Sequence, residues 1–145
     1  HVTHQVREQQ LDAARETYHA AGVKADIAPF FKDMADLLAK AHLVIGRSGA
    51  STVSEVAVVG RPSILVPLAI ATNDHQTENA RALVDVGAAD AIAEAALSVP
   101  DLTALLERRL GDRGELIRRA AAARSVGRPD AADALAALAI RLIKD

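Results

Sequence analysis

The residues best suited to chemistry stand in one short stretch between two apolar runs. Residues 48–52 (SGAST) combine small side chains, which let a ligand approach the backbone, with hydroxyl residues typical of helix starts. The first amides of a helix have no partner within it, and they favour an anion such as a phosphate. Glu55 lies one turn further along, where its carboxylate can cap the turn or accept hydrogen bonds from sugar hydroxyls. The stretch therefore predicts a nucleotide or sugar-phosphate site.

The same stretch has a plainer interpretation as an ordinary turn before a helix. Ser51 or Thr52 would then be the N-cap, and such a cap contributes about 0.5–2 kcal/mol without any ligand. Glu55, taken as a carboxylate in the first turn, would simply favour the helix dipole. These residues alone do not decide between a helix cap and a binding site.

A second polar stretch, residues 74–76 (DHQ), also fits either a helix cap or a binding site. Asp74 can cap the helix that follows, with its neighbours merely solvated. The imidazole of His75 and the amide of Gln76 can instead bind sugar hydroxyls, and His75 has the pKa range of a general base. No spacing of Asp, His and Ser in the chain supports a catalytic triad.

Composition excludes several other classes of protein. The net charge of the 145 residues is −2, and both signs are spread along the chain, which excludes a nucleic-acid footprint. The absence of cysteine excludes disulfides and thiolate metal sites, and the five histidines lack metal-ligand spacing. No apolar run approaches the roughly 20 residues that cross a bilayer. Five arginines are predicted on solvated faces: Arg61, Arg108, Arg109, Arg118 and Arg119.

The elements that must position these residues alternate between strands and helices. Strands are predicted at 2–6, 23–28, 43–46, 63–67 and 88–92. Helices are predicted at 8–21, 34–41, between 52 and 60, and at 77–86, 102–110, 115–126 and 131–143. This alternation predicts an α/β fold, a Rossmann-like parallel sheet with flanking helices and extra C-terminal helices. Ligands of such sheets bind beyond the carboxyl ends of the strands. The loops there are predicted at 4–5, 30–31, 47–52 and 71–76.

Several of these stretches together resemble the MurG family of bacterial GT-B glycosyltransferases. The likeness lies in GRSGASTVSE (46–55), GRP (60–62) and DHQTENA (74–80), with further likeness at His4-Gln5 and FFKDM (30–34). It covers essentially the whole chain, and the RSGAxTVSE run with a downstream DHQxxNA is highly specific. The resemblance implies the C-terminal, donor-binding half of an inverting hexosyltransferase. That enzyme transfers N-acetylglucosamine from UDP-GlcNAc to lipid I, forming lipid II for peptidoglycan, with no cofactor and no metal.

The resemblance also implies a role for each site residue. The Phe31 backbone would bind the uracil edge, and residues 50–52 would face the ribose and diphosphate. Glu55 would accept hydrogen bonds from the ribose, and His75 and Gln76 would hold the N-acetylglucosamine hydroxyls. The implied substrate-binding residues are Phe31, Ser48, Gly49, Ala50, Ser51, Thr52, Glu55, His75 and Gln76. None of them is catalytic, because the general base is expected in an N-terminal domain.

We therefore expect residues 1–145 to form a single partial domain. The expectation is that it lacks its first strand with a glycine-rich loop, and the N-terminal domain that binds lipid I. The implied location is peripheral, on the cytoplasmic face of the bacterial inner membrane, with no nucleic-acid partner. Two alternatives remain open. One is a related GT-B transferase with another UDP-sugar and lipid acceptor, and the other is a non-catalytic α/β binding domain.

Overall fold

The computed structural model describes residues 1–68 and 74–144, and the chain divides into two compact units. The first unit is His1–Leu37 and the second is Leu38–Asp145. In the first unit, β1 (Val2–Gln5) and β2 (Ala25–Ala28) pair in parallel. A short 3-10 turn and α1 (Leu11–Ala20) connect the two strands, and α1 packs on β2.

The second unit is built on a three-stranded parallel sheet. The element between the units, α2 (Met34–Lys40), is followed by β3 (Val44–Gly46), α3 (Ala50–Val59), β4 (Ser63–Leu65), α4 (His75–Val84) and β5 (Ala89–Ala91). The strand order is β3-β4-β5, with β4 in the centre. Because all three strands are parallel, their carboxyl ends and the loops that follow lie along one edge of the sheet.

Three further helices complete the second unit. They are α5 (Val99–Gly111), α6 (Arg113–Val126) and α7 (Ala131–Lys144). The hydroxyl of Ser98 accepts a hydrogen bond from the Asp101 amide at the start of α5, and the Asp112 carboxylate accepts one from the Glu115 amide at the start of α6. These side chains satisfy amides that have no partner within the helix.

The core of the second unit lies between β4 and the helices α3, α4 and α6. Ile64, Leu65, Val56 and Leu83 are fully buried there. Gly127, at the end of α6, packs directly on α3, since a Cβ at this position would lie 2.7 Å from the carbonyl oxygen of Ala57. The close approach of the two helices therefore requires a glycine.

A cluster of charged side chains joins β5, α5 and α6, and it corrects part of the sequence analysis. The Arg109 guanidinium donates to both carboxylate oxygens of Asp90, at 2.8 and 2.6 Å. Arg119 donates to Glu115 at 2.8 Å and lies 3.2 Å from Asp90. The side chains of Arg109 and Arg119 are only 14% and 10% exposed, so their prediction on solvated faces is wrong. Arginine is an exposed residue type by default, and the shared partner Asp90 lies 19 and 29 residues away from the two arginines in the chain.

The predicted α/β class, with parallel strands and flanking helices, is confirmed. Three details at helix starts differ from the prediction. The N-cap of α3 is Gly49, so neither Ser51 nor Thr52 caps it, and Glu55 lies beyond the first turn. Helix α4 begins at His75 rather than at Thr77. The predicted loop 71–76 lies partly outside the described residues. Of the helices described, none combines the length and apolar character needed to cross a membrane.

Candidate functional site

The start of α3 follows the end of β3 after a turn of only three residues. Gly49, the N-cap, has φ −60° and ψ 151°, and the first helical bond runs from the Val53 amide to the Gly49 carbonyl at 3.0 Å. The amides of residues 50–52 therefore have no partner within the helix. The first turn contains no acidic residue. The arrangement presents the positive end of the helix dipole without a carboxylate of the turn itself to neutralise it.

The turn before α3 is held by a side chain from α4. Asn79 donates its amide to the Ser48 carbonyl at 3.1 Å, which ties the start of α4 to this turn. Ser48 is completely buried, and its hydroxyl has no hydrogen-bond partner among the residues described. A buried hydroxyl without a partner is unfavourable, and a ligand or water can supply one.

Gly49 leaves open space where any other residue would place a side chain. Among the described residues, a Cβ at this position would meet no atom within 4 Å, and the φ angle is one that any residue adopts. Neither backbone strain nor packing against residues 1–68 and 74–144 therefore requires the glycine. With respect to these residues, the space in front of it is open to a bound group.

Glu55 is an exposed carboxylate on the same face of α3 as Ser51. The two residues are four apart, which places them one turn apart on a helix. In the part of the chain that the structure describes, Glu55 has no hydrogen-bond or ion-pair partner. Its acceptor oxygens are thus available to hydroxyl groups of a ligand.

The start of α4 carries the second polar group of the site. Asp74 has φ 49° and ψ 28°, a left-handed conformation that short polar residues tolerate, and its side chain makes no capping bond. His75 is exposed, whereas Gln76 is half-buried and accepts a hydrogen bond from the Leu68 amide at 2.9 Å. That bond occupies the Gln76 carbonyl oxygen and leaves its NH₂ group as a donor.

Arg47 holds the neighbouring loops in place. Its guanidinium lies 3.3 Å from the Val66 carbonyl, just after β4, and 2.7 Å from Glu94, in the 3-10 turn that follows β5. The hydrogen bond with Glu94 raises the pKa of Arg47, so the side chain stays cationic. The contacts join the ends of all three strands at the edge where the site lies.

Phe31 lies in the first unit, between β2 and α2, and is half-buried, while Phe30 is 69% exposed. The remaining predicted site residues, 48–52, Glu55, His75 and Gln76, all lie in the second unit. Within that unit, the Asn79 bond to the Ser48 carbonyl connects the turn before α3 with α4. In the described ranges 1–68 and 74–144, no cluster of three or more His, Asp or Glu side chains has the arrangement of a metal site.

Two residues that position the site had no assigned role at the sequence level. Arg47 and Asn79 both stand within the quoted motifs, but their partners lie 19 and 31 residues away. Their presence in the GRSGAST and DHQTENA stretches was the available signal. Only the fold reveals that both contact backbone carbonyls.

A comparison with protein families decides the class of the chain. The family model "Glycosyltransferase family 28 C-terminal domain" matches residues 1–135. The chain belongs to this family. The resemblance that the motifs indicated is therefore confirmed for the family 28 domain as a whole.

Two curated relatives of the chain carry the same name. The chain is 55% identical over 135 residues to the UDP-N-acetylglucosamine--N-acetylmuramyl-(pentapeptide) pyrophosphoryl-undecaprenol N-acetylglucosamine transferase of Maricaulis maris. It is 46% identical over 142 residues to the protein of that name from Brucella suis biovar 1. These matches cover 93% and 98% of the chain, but it spans only 37% and 38% of those relatives.

Solved structures agree with the fold. The crystal structure of Acinetobacter baumannii MurG is 37% identical, with a TM-score of 0.85, over 94% of this chain and 41% of that one. A glycotransferase of kitacinnamycin superimposes with a TM-score of 0.63 at 17% identity, over 92% of this chain and 41% of its own, and shows the fold alone. Both matches support the α/β architecture of the family 28 domain.

Proposed function

We propose that this chain is the donor-binding part of an inverting hexosyltransferase that acts in peptidoglycan synthesis. The donor is UDP-GlcNAc, and the acceptor is the N-acetylmuramyl-(pentapeptide) pyrophosphoryl-undecaprenol lipid named in the relatives, also called lipid I. The observation that carries the proposal is the start of α3, where three amides have no partner within the helix and the first turn holds no acidic residue. That geometry suits the diphosphate of a nucleotide sugar.

Each part of the donor has a matching group in the chain. Residues 50–52 bind the diphosphate and ribose, and Glu55 accepts the ribose hydroxyls. The NH₂ group of Gln76 and the imidazole of His75 bind the hexose, while the backbone at Phe31 binds uracil. Ser48 and Gly49 form the turn that lets the diphosphate approach.

The transfer itself breaks the bond between the anomeric carbon and the UDP oxygen. A hydroxyl of the acceptor attacks that carbon from the opposite face, so the configuration inverts, and a base takes its proton. Negative charge then develops on the departing diphosphate, where the amides of α3 stabilise it. On this proposal the reaction needs neither a metal nor a cofactor. The base and the acceptor site belong to an N-terminal domain, and the enzyme lies peripherally on the cytoplasmic face of the inner membrane.

Glu55→Ala in the full-length enzyme tests the proposal. Removal of a carboxylate that accepts ligand hydrogen bonds costs about 1.5–3 kcal/mol, so UDP-GlcNAc affinity by calorimetry should fall at least about tenfold. Glu107→Ala, which removes an exposed carboxylate on α5, is the matched control and should retain parental affinity. Unchanged affinity in Glu55→Ala would favour a non-catalytic domain with capped turns.

Gln76→Glu tests whether Gln76 contacts the hexose of the donor. The variant keeps an acceptor for the Leu68 amide, so the loop should stay in place, but it loses the NH₂ donor. We expect UDP to bind as in the parent, while binding and transfer of UDP-GlcNAc weaken at least tenfold. If the variant lost UDP and UDP-GlcNAc equally, Gln76 would not contact the hexose.

A further inference from the structure

A groove on the second unit lies away from the start of α3. It is an open cavity of about 480 Å³ lined by Gly60, Arg61, Ala120, Ala121, Arg124 and Ser125. We call it the Arg61/Arg124 groove. It lies at the C-terminal end of α3, and the ten residues of that helix separate it from the Gly49 turn by about 15 Å.

Both arginines of the groove contact backbone carbonyls. Arg124 donates to the Val59 carbonyl at 2.9 Å, and Arg61 donates to the Ala39 carbonyl. Gly60 makes room for this arrangement, since a Cβ there would lie 2.9 Å from the Arg124 Nε. Both arginine residues line the same groove.

The charge of these two guanidinium groups is not balanced by the lining. None of the six lining residues is acidic, and neither arginine pairs with a carboxylate within residues 1–68 and 74–144. Arg109 and Arg119 of the same unit, in contrast, each contact carboxylates. In addition, the Arg61 Nε is buried and has no hydrogen-bond partner among the described residues.

We propose that the Arg61/Arg124 groove binds a small soluble phosphate, at a site separate from the donor site. Two guanidinium groups with unused N–H donors match the oxygens of a phosphate, which Arg binds in a planar, forked geometry. A lipid headgroup fits less well, because the lining has no apolar side chain larger than alanine. The contacts with Val59 and Ala39 also stabilise the C-terminal ends of α3 and α2, whose carbonyls offset part of the arginine charge. Each contact uses only the Nη2 group of its arginine, so the Nη1 groups remain as donors for a ligand.

Titration of the full-length protein with inorganic phosphate tests this site. The Nε–H resonances of Arg61 and Arg124 are followed by NMR. The titration is repeated with saturating UDP, which occupies the proposed donor site, so that phosphate binding at the start of α3 does not contribute. We expect saturable shifts of both resonances in either condition. Arg124→Gln should weaken phosphate binding at least tenfold, whereas Arg141→Gln, which removes an exposed cation on α7, should not change it.

Three results would overturn the proposal. One is an Arg124→Gln variant that binds phosphate with parental affinity. Another is an Arg141→Gln variant that loses as much phosphate affinity as Arg124→Gln, which would indicate general charge attraction. The third is Arg124-dependent binding to phosphatidylglycerol vesicles without binding of free phosphate. Arg61→Gln can unfold the protein because its Nε is buried, so Arg124→Lys is the second variant. It keeps the charge but loses the forked donors, and we expect about a threefold loss.

Discussion

Replacement of Asp90 by Asn should destabilise the second unit through the charged cluster that joins β5, α5 and α6. Two carboxylates, Asp90 and Glu115, face two guanidinium groups, Arg109 and Arg119, in the parent. The Asn variant keeps the shape but leaves one carboxylate facing two guanidinium groups that are only 14% and 10% exposed. Opening a buried ion pair costs about 3–5 kcal/mol, and an exposed pair about 0–1 kcal/mol. Because Asp90 is 21% exposed, we expect a loss of about 2–3 kcal/mol.

Urea unfolding followed by far-UV circular dichroism measures this loss. Glu107→Gln is the matched control, since it makes an acid-to-amide change on the exposed face of α5, and it should stay within about 0.5 kcal/mol of the parent. Adding Arg109→Met to Asp90→Asn removes one charge of each sign and should regain part of the stability. A single Asp90→Asn variant as stable as the control would refute the reasoning that the cluster is desolvated.

Two further predictions concern acid stability and the Gly49 turn. Hydrogen bonds from Arg119 and Arg118 lower the pKa of Glu115 below its ordinary 4.5, so the stability that it contributes is present above pH 4.5 and is lost as the pH falls through the lowered pKa. Glu115→Gln should therefore flatten the fall in melting temperature below pH 4.5, and an unchanged slope would contradict this. Gly49→Ala fills the open space before α3 and should change the free energy of unfolding by less than about 1 kcal/mol. It should nevertheless weaken UDP binding measured by calorimetry, and parental affinity would show that no ligand occupies that space.

The turn at residues 48–52 could be predicted because its signals are local. A β-branched apolar run, small residues and hydroxyl residues follow each other within ten positions, and each one favours the element it forms. The predicted N-cap residue of α3, Ser51 or Thr52, was wrong for a physical reason. Gly49 already has the extended backbone of a cap, so α3 begins one residue before the hydroxyls that propensity favours.

The charged cluster could not be predicted because its partners are far apart in the chain. Asp90 and Arg119 are 29 residues apart, and only the fold brings them within 3.2 Å. Glu115 and Arg119 are four residues apart, a spacing that is also common on solvated helix faces. The sequence pattern thus fits an exposed helix face and a desolvated ion cluster equally well.

The two ends of α3 differ in a way that bears on how the chain binds anions. At the C-terminal end, the chain itself supplies cations, since Arg124 contacts the Val59 carbonyl of the last turn. At the N-terminal end, it supplies no anion within the first turn. A helix dipole favours positive groups at the first end and negative groups at the second. The chain thus places a charge opposite to the helix dipole at the C-terminal end only. A diphosphate bound at the Gly49 turn would supply the negative charge that the dipole favours at the N-terminal end.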